Sequence, residues 1–176
     1  MQKELQQLED FFLQHAGMNF TPQTRDIECE EYCGFTCLLD VFTIKFRRAK
    51  ITPKKIGQFV TVWKRNAEGI TTPFTTLDPF DFYLILTQNE EQSGCFIFPS
   101  SVLGEKGILT TPKQEGKRGF RVYPTWDYPT SKQAQKTQQW QENYFILLSA
   151  GDDPQNTHGN AVKIQRILNQ SINARK

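Results

Sequence analysis

The stretch DFYLILTQNEEQSGCFIFPS, residues 81–100, contains two continuous apolar runs, Phe82–Leu86 and Cys95–Phe98, joined by a polar segment at 87–94. A strand with one wet face alternates apolar and polar side chains, whereas a run that is apolar at every position is buried on both faces. Two such runs joined by a polar turn predict an antiparallel hairpin at the centre of a sheet. The segment QFVTVW, 58–63, reads the same way, as an interior strand with Trp63 in the core. In 42–50, Phe42, Ile44 and Phe46 alternate with Thr43, Lys45 and Arg47, the period of a half-buried strand. Tyr32–Leu39 and Phe120–Tyr123 complete the set of expected strands.

Helical spacing frames these strands. Leu5, Leu8 and Phe12 lie on one face of an amphipathic helix over 2–16 that Gly17 stops. Trp140, Tyr144 and Leu147 share a face of a helix over 131–149, and Gly151 ends it. Residues 18–31 read as irregular, 151–160 as a polar linker, and Val162, Ile164, Ile167 and Leu168 as a short final helix. The order helix, strands, helix predicts an α+β fold with a mixed, mostly antiparallel central sheet flanked by helices. Residues 1–150 form a single domain in this reading, with 151–176 packed on it or trailing from it.

With 176 residues and 38% hydrophobic content, the chain can bury one full core. No apolar run is long enough to span a bilayer. The opening MQKELQQLEDFFLQ lacks the apolar stretch of a signal peptide. The expectation is a cytoplasmic protein with no membrane partner. Cys29, Cys33 and Cys37 are spaced four apart and Cys95 stands alone, with His15 and His158 as the only histidines. This set lacks the paired spacing of a zinc site, so the cysteines are read as small core residues and no metal or other cofactor is expected.

Charge is strongly zoned although the net formal charge is only +2. Residues 1–31 hold seven acids. Residues 41–67 hold eight bases, Lys45, Arg47, Arg48, Lys50, Lys54, Lys55, Lys64 and Arg65, and no acid. A second basic cluster contains Lys113, Lys117, Arg118 and Arg121. Blockwise charge of this kind points to a charged partner.

Three stretches, AKITPKKIGQFVTVWKR (49–65), DFYLIL…CFIFPSSVL (81–103) and GKRGFRVYPTWD (116–127), followed by AQKTQQWQENYF (134–145), resemble the MepB family. These are small bacterial proteins named for a member encoded beside a multidrug efflux pump. The resemblance implies a restriction-endonuclease-like, PD-(D/E)XK core and nucleic-acid binding. The catalytic pattern of such nucleases needs an Asp opening one core strand and Glu or Asp, any residue, then Lys on the next, the carboxylates holding Mg²⁺. Asp81 opens FYLIL, but the following CFIFPS offers neither carboxylate nor Lys. Asp81 is therefore at most a vestige, and no catalytic activity is expected.

What remains is a binding protein that takes RNA and single-stranded DNA in preference to duplex DNA. Its expected contacts are Lys45 and Arg47 on an outward strand face, Lys54 and Lys55 on a loop, and Lys64 and Arg65 at a strand end. Lys117, Arg118 and Arg121 form the second patch, where Gly116 and Gly119 would admit a phosphate and Tyr123 or Trp126 would stack on a base. The alternatives are a divergent Mg²⁺ nuclease with ligands from elsewhere, such as Asp40, Glu68 or Asp127, and a protein- or small-ligand-binding module linked to drug efflux.

Overall fold

A computed structural model describes the backbone of residues 2–26, 32, 34–148 and 154–174, with side chains described over 3–26, 32, 34–148 and 157–170. Helix α1 (Gln2–Ala16) is followed by β1 (Phe20–Arg25), β2 (Phe35–Leu39) and β3 (Phe42–Arg48). Then come β4 (Lys50–Thr52), β5 (Lys55–Thr61), β6 (Trp63–Arg65) and β7 (Thr71–Pro73). The hairpin β8 (Phe82–Gln88) and β9 (Ser93–Pro99) leads into α2 (Ser100–Glu105) and β10 (Gly119–Val122). Helix α3 (Lys132–Gln141), β11 (Phe145–Leu147) and α4 (Pro154–Ala174) complete the chain.

The β8–β9 hairpin is central, as its sequence requires. The main sheet runs β1-β2-β3-β8-β9-β11, and every neighbouring pair is antiparallel except β3 and β8. Its turn is held by Asn89, whose Oδ1 accepts hydrogen bonds from the backbone of Glu91 and Gln92 at 2.9 and 2.6 Å. Alternate residues of the hairpin enter two different cores. Phe82, Leu84, Leu86, Cys95 and Ile97 pack beneath α1 and α4 with Leu8, Phe12, Ile164 and Ile167. Tyr83, Ile85, Phe96 and Phe98 face a second layer that includes Val60, Val62, Leu103, Phe120 and Phe145. Burying both faces of one hairpin accounts for its unbroken apolar runs.

The second layer is where the structure departs from the expected single central sheet. Residues 50–73 leave the main sheet: β4 and β5 join β10 in a sheet ordered β10-β5-β4, and β6 pairs with β7, Val60 and Val62 packing against the second face of the main sheet. Val60 and Val62 of QFVTVW are buried there. Trp63, by contrast, is only half-buried and turns toward a cavity.

Other elements differ as well. Residues 20–25, read as irregular, form an edge strand with only Phe20 buried. The expected 131–149 helix stops at Gln141, and Phe145–Leu147 pairs with β9 as an edge strand. Gly94 permits this pairing, because a Cβ there would lie 2.3 Å from the Phe145 ring. The face shared by Trp140 and Tyr144 does pack on the sheet, with ring centroids 5.3 and 5.6 Å from that of Phe98. The final helix spans 21 residues, so it takes in most of the stretch expected to be a linker. No described helix is long and apolar enough to cross a membrane.

Cys37 and Cys95 are buried and unbridged, and burial pushes both thiols up to about 12. Cys29 and Cys33 lie outside the described residues. Iodoacetamide at pH 8 should therefore leave Cys37 and Cys95 unmodified in the native protein and alkylate both in urea, as peptide mass mapping would show. Native labelling of either would contradict the packing.

Candidate functional site

Lys45 and Arg47 alternate with Ile44 and Phe46 on β3, so they project from the second face of the main sheet. They do not face solvent together. Arg47 is 1% exposed, and its Nη1 lies 2.7 Å from Asp26 Oδ2. Lys45 Nζ lies 3.1 Å from Asp26 Oδ1 and donates to Thr36 Oγ1 at 2.9 Å. Gly34 makes this arrangement possible: a Cβ there would sit 2.8 Å from Arg47 Nη1 and 3.0 Å from Asp26 Cβ.

Across the cavity, Lys64 of β6 is ion-paired with Asp78, whose other oxygen accepts from the Thr75 backbone at 2.6 Å. Arg48 reaches Glu4 of α1 at 2.9 Å. Lys50 stands 4.5 Å from the centroid of the Tyr32 ring. Part of the acidic N-terminal block and part of the basic 41–67 block are thus paired within the chain: Glu4 and Asp26 come from the first, and Arg48, Lys45 and Arg47 from the second. This corrects the expectation of an outward Arg47, and it gives the charges of these five residues partners within the chain.

Asp81 serves the strand ladder. Its Oδ2 accepts from the Thr43 backbone at 2.8 Å and its own N–H donates to Thr43 O at 2.8 Å, pinning the start of β8 to β3. Acids and lysines meet instead at Asp26 with Lys45 and at Asp78 with Lys64. Asp40 occupies the β2–β3 turn at φ 49° and accepts from Asn19. Glu68 is exposed in another turn. Asp127 has a buried Oδ2 with no hydrogen-bond partner, and desolvation raises its pKa. Among the described residues, no three His, Cys, Asp or Glu side chains are grouped as metal ligands.

The second basic cluster is arranged differently. Lys55, Lys106, Lys117 and Arg121 line a groove of about 380 Å³ between β10, the β5 end and α3, together with Tyr123, Thr137, Trp140 and Gln141. No carboxylate is among its lining residues. Two bonds fix Arg121: Nη1 donates to Gly57 O at 2.9 Å and Nη2 to Thr52 Oγ1 at 2.7 Å. The buried Gln141 side chain ties the rim to α3, accepting from Tyr123 N–H at 2.9 Å and donating to Arg121 O at 3.0 Å. Lys106 stands 5.4 Å from the centroid of the Trp140 ring.

The remaining expected contacts fall elsewhere. Lys54 is exposed at the β4–β5 turn. Arg65 donates to Gly69 O at 2.8 Å, and Arg118 to Thr71 O at 3.1 Å. Trp126 is half-buried, its ring edge-on to Phe145, and it does not line the groove. Gly116 and Gly119 admit neighbouring protein: a Cβ would lie 2.6 Å from Ile108 O at the first and 2.4 Å from the Phe59 ring at the second. Lys106 and Trp140 were not anticipated, since neither lies in a basic stretch of sequence.

Fold and surface together define an α+β protein with a mixed, largely antiparallel sheet, an ion-paired cluster around Asp26 and Asp78, and a separate basic groove. A family model described as MepB-like matches residues 26–147, and the chain belongs to that family. The chain is 36% identical to MepB, a protein of known crystal structure, with a TM-score of 0.72, covering 84% of this chain and 97% of the other. A bacterial homing endonuclease aligns at 12% identity and a TM-score of 0.43, covering 91% of this chain and 85% of its own. No curated protein matches the chain.

Proposed function

We propose that this protein is a non-catalytic nucleic-acid-binding protein whose contact surface is the groove between β10 and α3. The observation that carries the reading is the groove's lining: four cations, the aromatic side chains of Phe120, Tyr123 and Trp140, and no carboxylate. Clustered cations bind phosphates by releasing condensed counterions, and bases stack on exposed aromatic faces. Tyr123 and Trp140 are half-buried, and the ring surface they leave on the groove can be reached only by unstacked bases, which supports a preference for single strands over duplex DNA. Titrating labelled single-stranded RNA, single-stranded DNA and duplex DNA at two salt concentrations tests both parts. Equal affinity for all three would remove the stacking component.

The absence of catalysis follows, within this proposal, from the occupation of the acids. Asp26 is engaged by Lys45 and Arg47, Asp78 by Lys64, and Asp81 by the β3 backbone. A Mg²⁺ site would need several oxygen ligands in one place. Incubation with Mg²⁺ or Mn²⁺ should therefore leave RNA and DNA uncut above background. Cleavage that disappears on Asp26→Asn or Asp81→Asn would contradict this.

A further inference from the structure

Two isoleucines flank the turn of the β4–β5 hairpin, ITPKKI, residues 51–56. Ile51 is 63% exposed and Ile56 44%, and Pro53, Lys54 and Lys55 between them are exposed as well. Single apolar residues scattered on a surface are ordinary, but these two share one hairpin tip with two lysines, and Lys55 also lines the groove. The tip is braced against that groove. Arg121 of β10 is bonded to both hairpin strands, through Thr52 Oγ1 on β4 and Gly57 O on β5. Gly57, at φ 83°, lets the hairpin close on Tyr123, since a Cβ there would lie 2.6 Å from the Tyr123 ring. The register shift between Ile51 and Thr52 leaves Ile56 and Gly57 without a partner on β4, a bulge of the kind that re-aims a side chain.

We propose that this tip contacts bases beyond the groove: a single strand held by the groove's lysines runs on past Lys55, and Ile51 and Ile56 pack against its unstacked bases. A lysine grips phosphate whatever base is attached. An isoleucine gains only by covering apolar surface, which a base face offers and a phosphate does not. Isoleucine and proline are among the residues that nucleic-acid-binding proteins use as apolar wedges against bases. Because the hairpin is braced beforehand, little freedom is lost when it makes contact. The proposal rests on the groove reading and adds to it a contact that depends on the base.

The test is fluorescence anisotropy of the full chain with labelled twelve-nucleotide oligothymidylate and with an oligomer of the same length made of abasic sites, which keeps the phosphates and removes the bases. Threonine keeps the β-branching suited to a strand, so the double variant Ile51→Thr with Ile56→Thr should fold. It should weaken oligothymidylate binding about tenfold, the low end for burying one whole isoleucine side chain, because both are already partly covered. Affinity for the abasic oligomer and the salt slope should stay as in the wild type. Should the double variant fail to fold, each single variant should lose about threefold. Wild-type protein that binds the two oligomers equally well would overturn the proposal without any variant. So would unchanged oligothymidylate affinity in the folded double variant, or an equal loss for both oligomers. Two further arms test other occupants: vesicles of phosphatidylglycerol and phosphatidylcholine, and sedimentation of the protein alone. Vesicle binding or dimerisation that the double variant abolishes, with oligothymidylate binding unchanged, would assign the isoleucines to lipid or to a second copy and overturn the proposal. The groove reading is judged separately by Lys106→Ala with Lys117→Ala: if that variant still loses affinity when the isoleucine variant does not, the groove stands and the tip contact falls.

Discussion

Asp26→Ala should lower the free energy of unfolding by about 3 kcal/mol. Its carboxylate holds Arg47 at 2.7 Å and Lys45 at 3.1 Å, and the Arg47 side chain is only 2% exposed. Removing one partner of a buried pair leaves the other charge uncompensated, a loss on the order of 3–5 kcal/mol. The lower end applies because Asp26 is itself 18% exposed. Arg47→Met should be milder, about 1 kcal/mol, since it removes the buried charge while largely preserving volume and leaves Asp26 paired with Lys45. Urea denaturation with unchanged m-values would measure both effects. A loss below about 1 kcal/mol for Asp26→Ala would show that the ion pair is not a structural anchor.

That anchor also marks the limit of what the sequence discloses. The central hairpin was legible in FYLIL and CFIF, because burial on two faces leaves no polar position in the run. The edge strands were not. FTPQTR buries only Phe20, and Phe145–Leu147 continues the helical spacing of Trp140 and Tyr144 before pairing with β9. The cations of 41–67 were visible as a block, but their partners were not. Asp26 is 19 residues from Lys45, and Glu4 is 44 residues from Arg48, so neither pairing follows from local spacing. The same holds for the groove. Lys117, Arg121 and Tyr123 stand out in GKRGFRVY, whereas Lys106 and Trp140 reach the same surface only through tertiary packing.

The second large effect concerns that groove. Replacing Lys55, Lys106 and Lys117 together with Ala should weaken single-stranded RNA and DNA binding about a hundredfold at low salt, if each cation neutralises one phosphate. Arg121 is left in place because it braces the β4–β5 turn through Thr52 and Gly57, so its removal would disturb structure as well as charge. The three lysines are exposed, and the substitutions should leave the unfolding midpoint nearly unchanged. A fall in affinity of less than threefold with the fold intact would move the contact surface elsewhere.

The most direct measurement is the dependence of single-strand affinity on salt. Four phosphate contacts give a slope of log K against log salt of about −3, so the wild type should lose roughly fiftyfold in affinity between 50 and 200 mM salt. The triple-lysine variant, with Arg121 remaining, should show a slope of about −0.7. An unchanged slope in a folded triple variant would contradict the assignment of the β10–α3 groove as the phosphate-binding surface.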